Sequence, residues 1–156
     1  MKKVYKLAFD DFDSEDYSLI AIHSALEAYR LAYFINRELN VRLEKCPFDV
    51  VYTVEQGKAT FSRFVYEDEI DNAEWNLIQN KDTALSTQTD TTLFSSSGIG
   101  VSIYLLPEYK NVDYLLKVEN ADGIRKTVQL LDAIQHISAA YNIDHRKLRS
   151  KNNLIF

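Results

Sequence analysis

The chain has 156 residues but only one cysteine, two prolines, four glycines and three histidines. The single thiol, Cys46, excludes an intramolecular disulfide and a paired-thiol metal site, and it fits a reducing compartment. With so little glycine and proline, the composition is neither linker-like nor fibrous. No window approaches the roughly 18 apolar residues that a membrane span needs. The opening "MKKVYKLAFDDFDSED" has the lysines of a secretory leader, but acids interrupt its apolar run after Phe9, so a soluble cytoplasmic protein is expected. The three histidines, His23, His136 and His145, have no close partner for metal or nucleophilic chemistry, and serine-elbow and Walker patterns are absent. The sequence calls for no metal and no cofactor, and it leans away from an enzyme.

What is present is a packed globular composition, 46% hydrophobic and 26% charged. A single domain of this size buries roughly two-thirds of the surface of its unfolded chain. Ten tyrosines and eight phenylalanines exceed what one core requires, because tyrosine suits positions with one apolar and one wet side. The net charge is −5, unevenly spread. From Asp144 to Phe156 one acid faces four bases, Arg146, Lys147, Arg149 and Lys151. The chain therefore divides into an acidic body, 1–143, and a basic C-terminal tail, 144–156. Such a tail either pairs with its own acidic domain or contacts an acidic partner such as nucleic acid.

Residues 4–9, "VYKLAF", alternate like a half-buried strand. The following "DDFDSED" lacks the glycine and glutamate spacing of a calcium loop. It reads instead as a helix start, with Asp13 or Ser14 as N-cap and Glu15 and Asp16 in the first turn. Apolar residues at helical spacing predict a long helix over about 15–39. Ile20, Leu31 and Phe34 fall among its charged residues, and three large apolar groups on a nominally wet face point to a second contact surface. A homodimer interface is the expected use, with covering by this chain's own loops as the alternative.

After Pro47 the period becomes 2. "DVVYTV" and "TFSRFVY", joined by "EQGKA", predict a hairpin in which Gly57 takes a positive φ. "EWNLIQN" is a further strand. Residues 82–98, rich in Ser and Thr, match neither period and are expected to form a connection or lid. "VSIYLL" (101–106) and "VDYLLKVE" (112–119) read as two strands of a hairpin closed by "PEYKN". Glu108 and Asp113 would flank that hairpin end. They are candidates for an acid/base pair, together with Tyr114, or else loop-stabilising groups. A second helix is expected from Asp122 to Tyr141, and Leu154, Ile155 and Phe156 are expected to dock on this domain or a neighbour.

Leu106-Pro107-Glu108, three variable positions, then Val112-Asp113-Tyr114 resembles the signature of the bacterial IPExxxVDY family, with leucine in place of the usual isoleucine. The early "LAF" strand and the "WNLIQNK" segment resemble that family too. The resemblance implies a small cytosolic protein with an association to acyl-carrier and RNA metabolism, and it brings no activity with it.

The expected fold is α+β: an antiparallel meander sheet of about six strands with two long helices packed on one face. The first functional expectation is a non-catalytic binding module acting as a homodimer, with a protein partner. The alternatives are a hydrolase-like enzyme using Glu108, Asp113 and Tyr114, and a nucleic-acid or acyl-carrier contact through Arg146, Lys147, Arg149 and Lys151.

Overall fold

A computed structural model describes residues 17–55, 57–85 and 100–156. The expected strand 4–9, the helix cap at Asp13 or Ser14 and most of the Ser/Thr-rich segment lie outside the described residues.

Among the described residues the architecture is α+β, with a six-stranded antiparallel sheet and two α-helices. The sheet strands are β1 (Tyr17–His23), β2 (Glu44–Lys45), β5 (Arg63–Asp68), β6 (Ala73–Gln79), β9 (Tyr114–Glu119) and β10 (Ala139–Ile143). Their spatial order is β10-β1-β9-β6-β5-β2, so only β5 and β6 are consecutive neighbours. Two two-stranded units stand apart from the sheet. They are β3 (Val50–Val54) with β4 (Gly57–Phe61), and β7 (Lys81–Leu85) with β8 (Gly100–Tyr104). The helices are α1 (Ala28–Leu39) and α2 (Ile124–Asp132).

The sheet is apolar on both faces. Ile20, Ile22, Leu77, Leu116 and Val118 share one cluster with Leu31, Ala32 and Ile35 of α1 and Leu131 of α2, which places both helices on that face. Leu19, Ala21, Ile78 and Leu115 point the other way, against Ala59 and Phe61 of β4, Ile103 of β8, and Leu148 and Leu154. The second face is therefore covered by this chain itself, through the small hairpin units and residues 144–156.

This two-sided burial explains the largest departure from the sequence reading. The helix expected over 15–39 begins only at Ala28, because Tyr17–His23 is a strand. Leu19, Ile20, Ala21 and Ile22 are all fully buried, alternately against the two apolar layers. A strand covered on both faces loses its polar alternation and reads as a continuous apolar run. The consequence for the expected dimer surface is direct. Ile20 and Leu31 are core residues of this chain, and of the three only Phe34 keeps partial exposure.

The second helix is also shorter than 122–141. It ends at Asp132, and two i→i+3 bonds, Ile134 N–H to the Leu131 carbonyl and Ile137 N–H to the Ile134 carbonyl, carry the chain onward at 3.1 and 3.0 Å. Such turns keep Leu131, Ile134 and Ile137 on one side, imitating helical spacing, while Ala139–Ile143 pairs with β1. "TFSRFVY" is likewise two strands, divided at Ser62. β4 forms the expected hairpin with β3, closed at Gly57 with φ 142°, and β5 joins β6.

Candidate functional site

Pro107 opens a 3-10 turn, Pro107–Tyr109, as suits a residue with a fixed φ and no N–H to donate. Bonds from the Tyr109 N–H to the Leu106 carbonyl (3.0 Å) and from the Val112 N–H to the Tyr109 carbonyl (3.1 Å) extend the turn. The hairpin expected here does not form, because β8 pairs with β7 while β9 pairs with β1 and β6. Instead the turn carries the chain from the small β7–β8 layer into the main sheet.

Asn80, 0% exposed, holds this turn from beneath. Its amide nitrogen donates to the carbonyls of Tyr109 and Val112, both at 2.9 Å, and its amide oxygen accepts the Leu106 N–H at 2.9 Å. Its backbone bonds to Asp113 and Leu105 as well. A buried amide can satisfy up to four partners, and here donors and acceptor all face backbone groups of one segment.

The three candidate catalytic residues each bind a different part of the same chain. The Glu108 carboxylate accepts the N–H groups of Arg149 (2.8 Å) and Ser150 (3.1 Å) and the Ser150 hydroxyl (2.5 Å). Burial pushes its carboxyl up, but these hydrogen bonds outweigh it and leave the group below its ordinary value. Asp113 accepts the Ser24 N–H at 2.9 Å, and its own N–H donates to the Ile22 carbonyl at 3.2 Å. Tyr114 donates its hydroxyl proton to the Leu26 carbonyl at 2.5 Å while its ring packs in the helix-side core. Burial, reinforced by the nearby charges of Asp113 and Glu27, pushes the phenol up to about 12. The two carboxylates thus brace the tail and the β1–α1 connection, and no hydrogen bond joins them to each other. The Glu108 carboxyl, held low, lacks the raised pKa that an acid catalyst at neutral pH requires.

The tail bases do not form a compact cluster. Arg146 and Lys147 stand on one 3-10 turn and Lys151 on another, with Arg149 between them, and all four side chains are exposed. Lys147 pairs with Asp144 at 3.7 Å. Around them the segment is anchored by buried Leu148 and Leu154 and by the Glu108 bonds. Phe156 lies beneath the Arg63 guanidinium and beside the Lys117 ammonium, at 4.9 and 5.2 Å from its ring centre. Lys117, only 8% exposed, also donates to the Leu154 carbonyl and pairs with Glu119 at 2.9 Å.

A shallow groove of about 530 Å³ lies at the β2–β5 edge, lined by Arg42, Cys46, Arg63, Val65 and Tyr66 among others. It contains none of the candidate residues named from the sequence. Among the described residues no group of three His, Cys, Asp or Glu side chains is placed to hold a metal ion, and no helix is long and apolar enough to cross a membrane.

The outer side of α1 exposes large side chains. Tyr29 and Tyr33 are 62% and 60% exposed. Phe34 lies between Arg37, 5.0 Å from its ring centre, and His136, at 4.7 Å ring to ring. Arg30 shares the exposed arc. The helix expected over 15–39 started too early, and the second surface expected on it included neither Tyr29 nor Tyr33. Asn80 was missed too. Its only signal was a polar residue ending the apolar "WNLI" strand, next to a segment that must turn.

Comparisons with family models, with curated proteins and with solved structures return no match.

Proposed function

We propose that this chain is a non-catalytic interaction module that works as a homodimer. The observation that carries the reading is a division of labour. The polar residues with catalytic potential are spent on the fold, while large aromatic and arginine side chains stand exposed on α1. Tyr and Arg anchor protein interfaces because they supply large contact area and hydrogen bonds at low entropic cost. Glu108 and Asp113, which a hydrolase would need free, are engaged by Arg149 and Ser150 and by Ser24. The likeness of Leu106–Tyr114 to the IPExxxVDY signature fits the same reading, with the motif acting as architecture.

Sedimentation equilibrium of the wild type and of Tyr33→Glu tests it. The wild type is expected to be dimeric at micromolar concentration and the variant to shift toward monomer. A wild type that is monomeric throughout that range overturns the dimer.

A further inference from the structure

The outer face of α1 has a counterpart elsewhere on the chain. At 100° per residue, Tyr29, Tyr33, Arg37, Arg30 and Phe34 occupy one continuous outward arc of the helix, opposite Leu31, Ala32 and Ile35. That arc carries two arginines and no acid. The β5–β6 turn has the reverse character. Glu67, Asp68, Glu69 and Asp71 surround Ile70, which is 94% exposed. The turn is ordered by its own hydrogen bonds, since the Asp68 carboxylate accepts the N–H groups of Ile70 (3.0 Å) and Asp71 (3.3 Å). Asn72 closes it at φ 53°. The chain thus holds an isoleucine out into water at the centre of an acidic tip.

Within one copy these surfaces do not satisfy each other. Among the described residues no ion pair joins Arg30 or Arg37 to the tip, and Arg37 pairs only with its neighbour Glu38, at 3.0 Å. A like-to-like contact between two α1 faces would oppose the two copies of Arg30 and is the less favourable pairing, each Arg37 being already paired with Glu38. Tip against helix, by contrast, brings acids to arginines and seats an aliphatic side chain among aromatic rings.

Resting on the homodimer reading, we infer that the occupant of the α1 face is the β5–β6 tip of a second copy. In a two-fold dimer the exchange is reciprocal. Each copy offers one tip and one helix face, the contact is made twice, and the assembly closes without leaving a free end. Glu69 and Asp71 meet Arg30 and Arg37 across the interface, and Ile70 enters between Tyr29 and Tyr33.

Charge exchange tests the pairing. Arg30→Glu with Arg37→Glu makes the helix face acidic, and Glu69→Lys with Asp71→Lys makes the tip basic. All four positions are exposed, and circular dichroism confirms that each variant is folded. Each double variant alone is expected to dimerise at least tenfold more weakly than wild type in sedimentation velocity. An equimolar mixture of the two is expected to recover dimers, because both contacts of the mixed dimer then join opposite charges. Added salt should weaken the wild-type dimer, since exposed charges are screened within about 10 Å at 0.1 M. If both double variants dimerise like wild type, the tip-to-helix pairing is wrong and the homodimer stands on another surface. If the variants dissociate but their mixture stays monomeric, the pairing is equally refuted. A monomeric wild type removes the homodimer reading itself.

Discussion

Replacing Asn80 by alanine removes three hydrogen bonds at once, and the cost depends on where their partners are left. The Leu106 N–H belongs to a fully buried residue and the Val112 carbonyl to a nearly buried one. Neither gains water when the amide is cut away. The Tyr109 carbonyl lies on a half-exposed residue and can be rehydrated. A stranded buried backbone group costs about 1–3 kcal/mol, so two of them predict a loss of about 2–6 kcal/mol. For a chain of this length, where 1 kcal/mol moves the melting temperature by roughly 2–4 °C, that is a drop of roughly 4–24 °C. Asn76 provides the control. It is equally buried, but it bonds to the side chains of Arg63 and Glu74, which reach solvent, so Asn76→Ala should cost about 1 kcal/mol. Urea denaturation of both variants measures the difference. If Asn80→Ala loses less than about 1 kcal/mol, or no more than Asn76→Ala, the turn is held by something other than this amide.

Tyr114→Phe removes the hydroxyl that meets the Leu26 carbonyl and should cost about 1 kcal/mol, whereas Tyr114→Ala should cost about 3 kcal/mol or more through the lost core ring; thermal melts distinguish the two. Because the folded phenol is pushed up to about 12 from 10.0, its stabilisation is complete below pH 10 and is lost as pH rises through about 12. The wild type should therefore lose stability across that window more steeply than Tyr114→Phe. Glu108 behaves in the opposite sense. Its carboxyl is held below the ordinary 4.5, so its contribution is present above that pH and fades as pH falls through the lowered value, a fading that Glu108→Gln should abolish in acid titrations. Leu154→Ala, at a position 1% exposed, should cost about 2–4 kcal/mol and make residues 144–156 readily cleaved by protease, whereas a variant as protected as wild type would show that the segment is not part of the core.

The parts legible in the sequence were those in which one face is apolar and the other wet. β3 and β4 alternate and turn at a glycine, and α1 and α2 each contain true helical spacing. Both ends of the helical readings failed for the same reason. β1 is buried on two faces, so its apolar run merged with the helix after it. The turns after α2, closed by i→i+3 bonds, kept an i, i+3 rhythm, so they merged with the helix before them. Periodicity reports how a segment is covered, and only indirectly which backbone it adopts.

The Leu106–Tyr114 stretch shows the limit from the other side. Its residues stand out in the sequence, yet one sequence carries no register between distant segments, and their bonding partners depend on register. Glu108 acquires its function from Arg149 and Ser150, Asp113 from Ser24 and Tyr114 from Leu26, partners 41, 42, 89 and 88 positions away. Each bond satisfies a backbone group at a bend, where the chain leaves regular structure and would otherwise leave donors or acceptors unpaired. Glutamate, aspartate and tyrosine are also residue types from which catalytic sites are built, so composition alone cannot separate the two uses. What separates them is where the lone pairs go. Here they face the N–H groups of the tail and of the β1–α1 connection, whereas the tyrosine and arginine arc of α1 stays exposed.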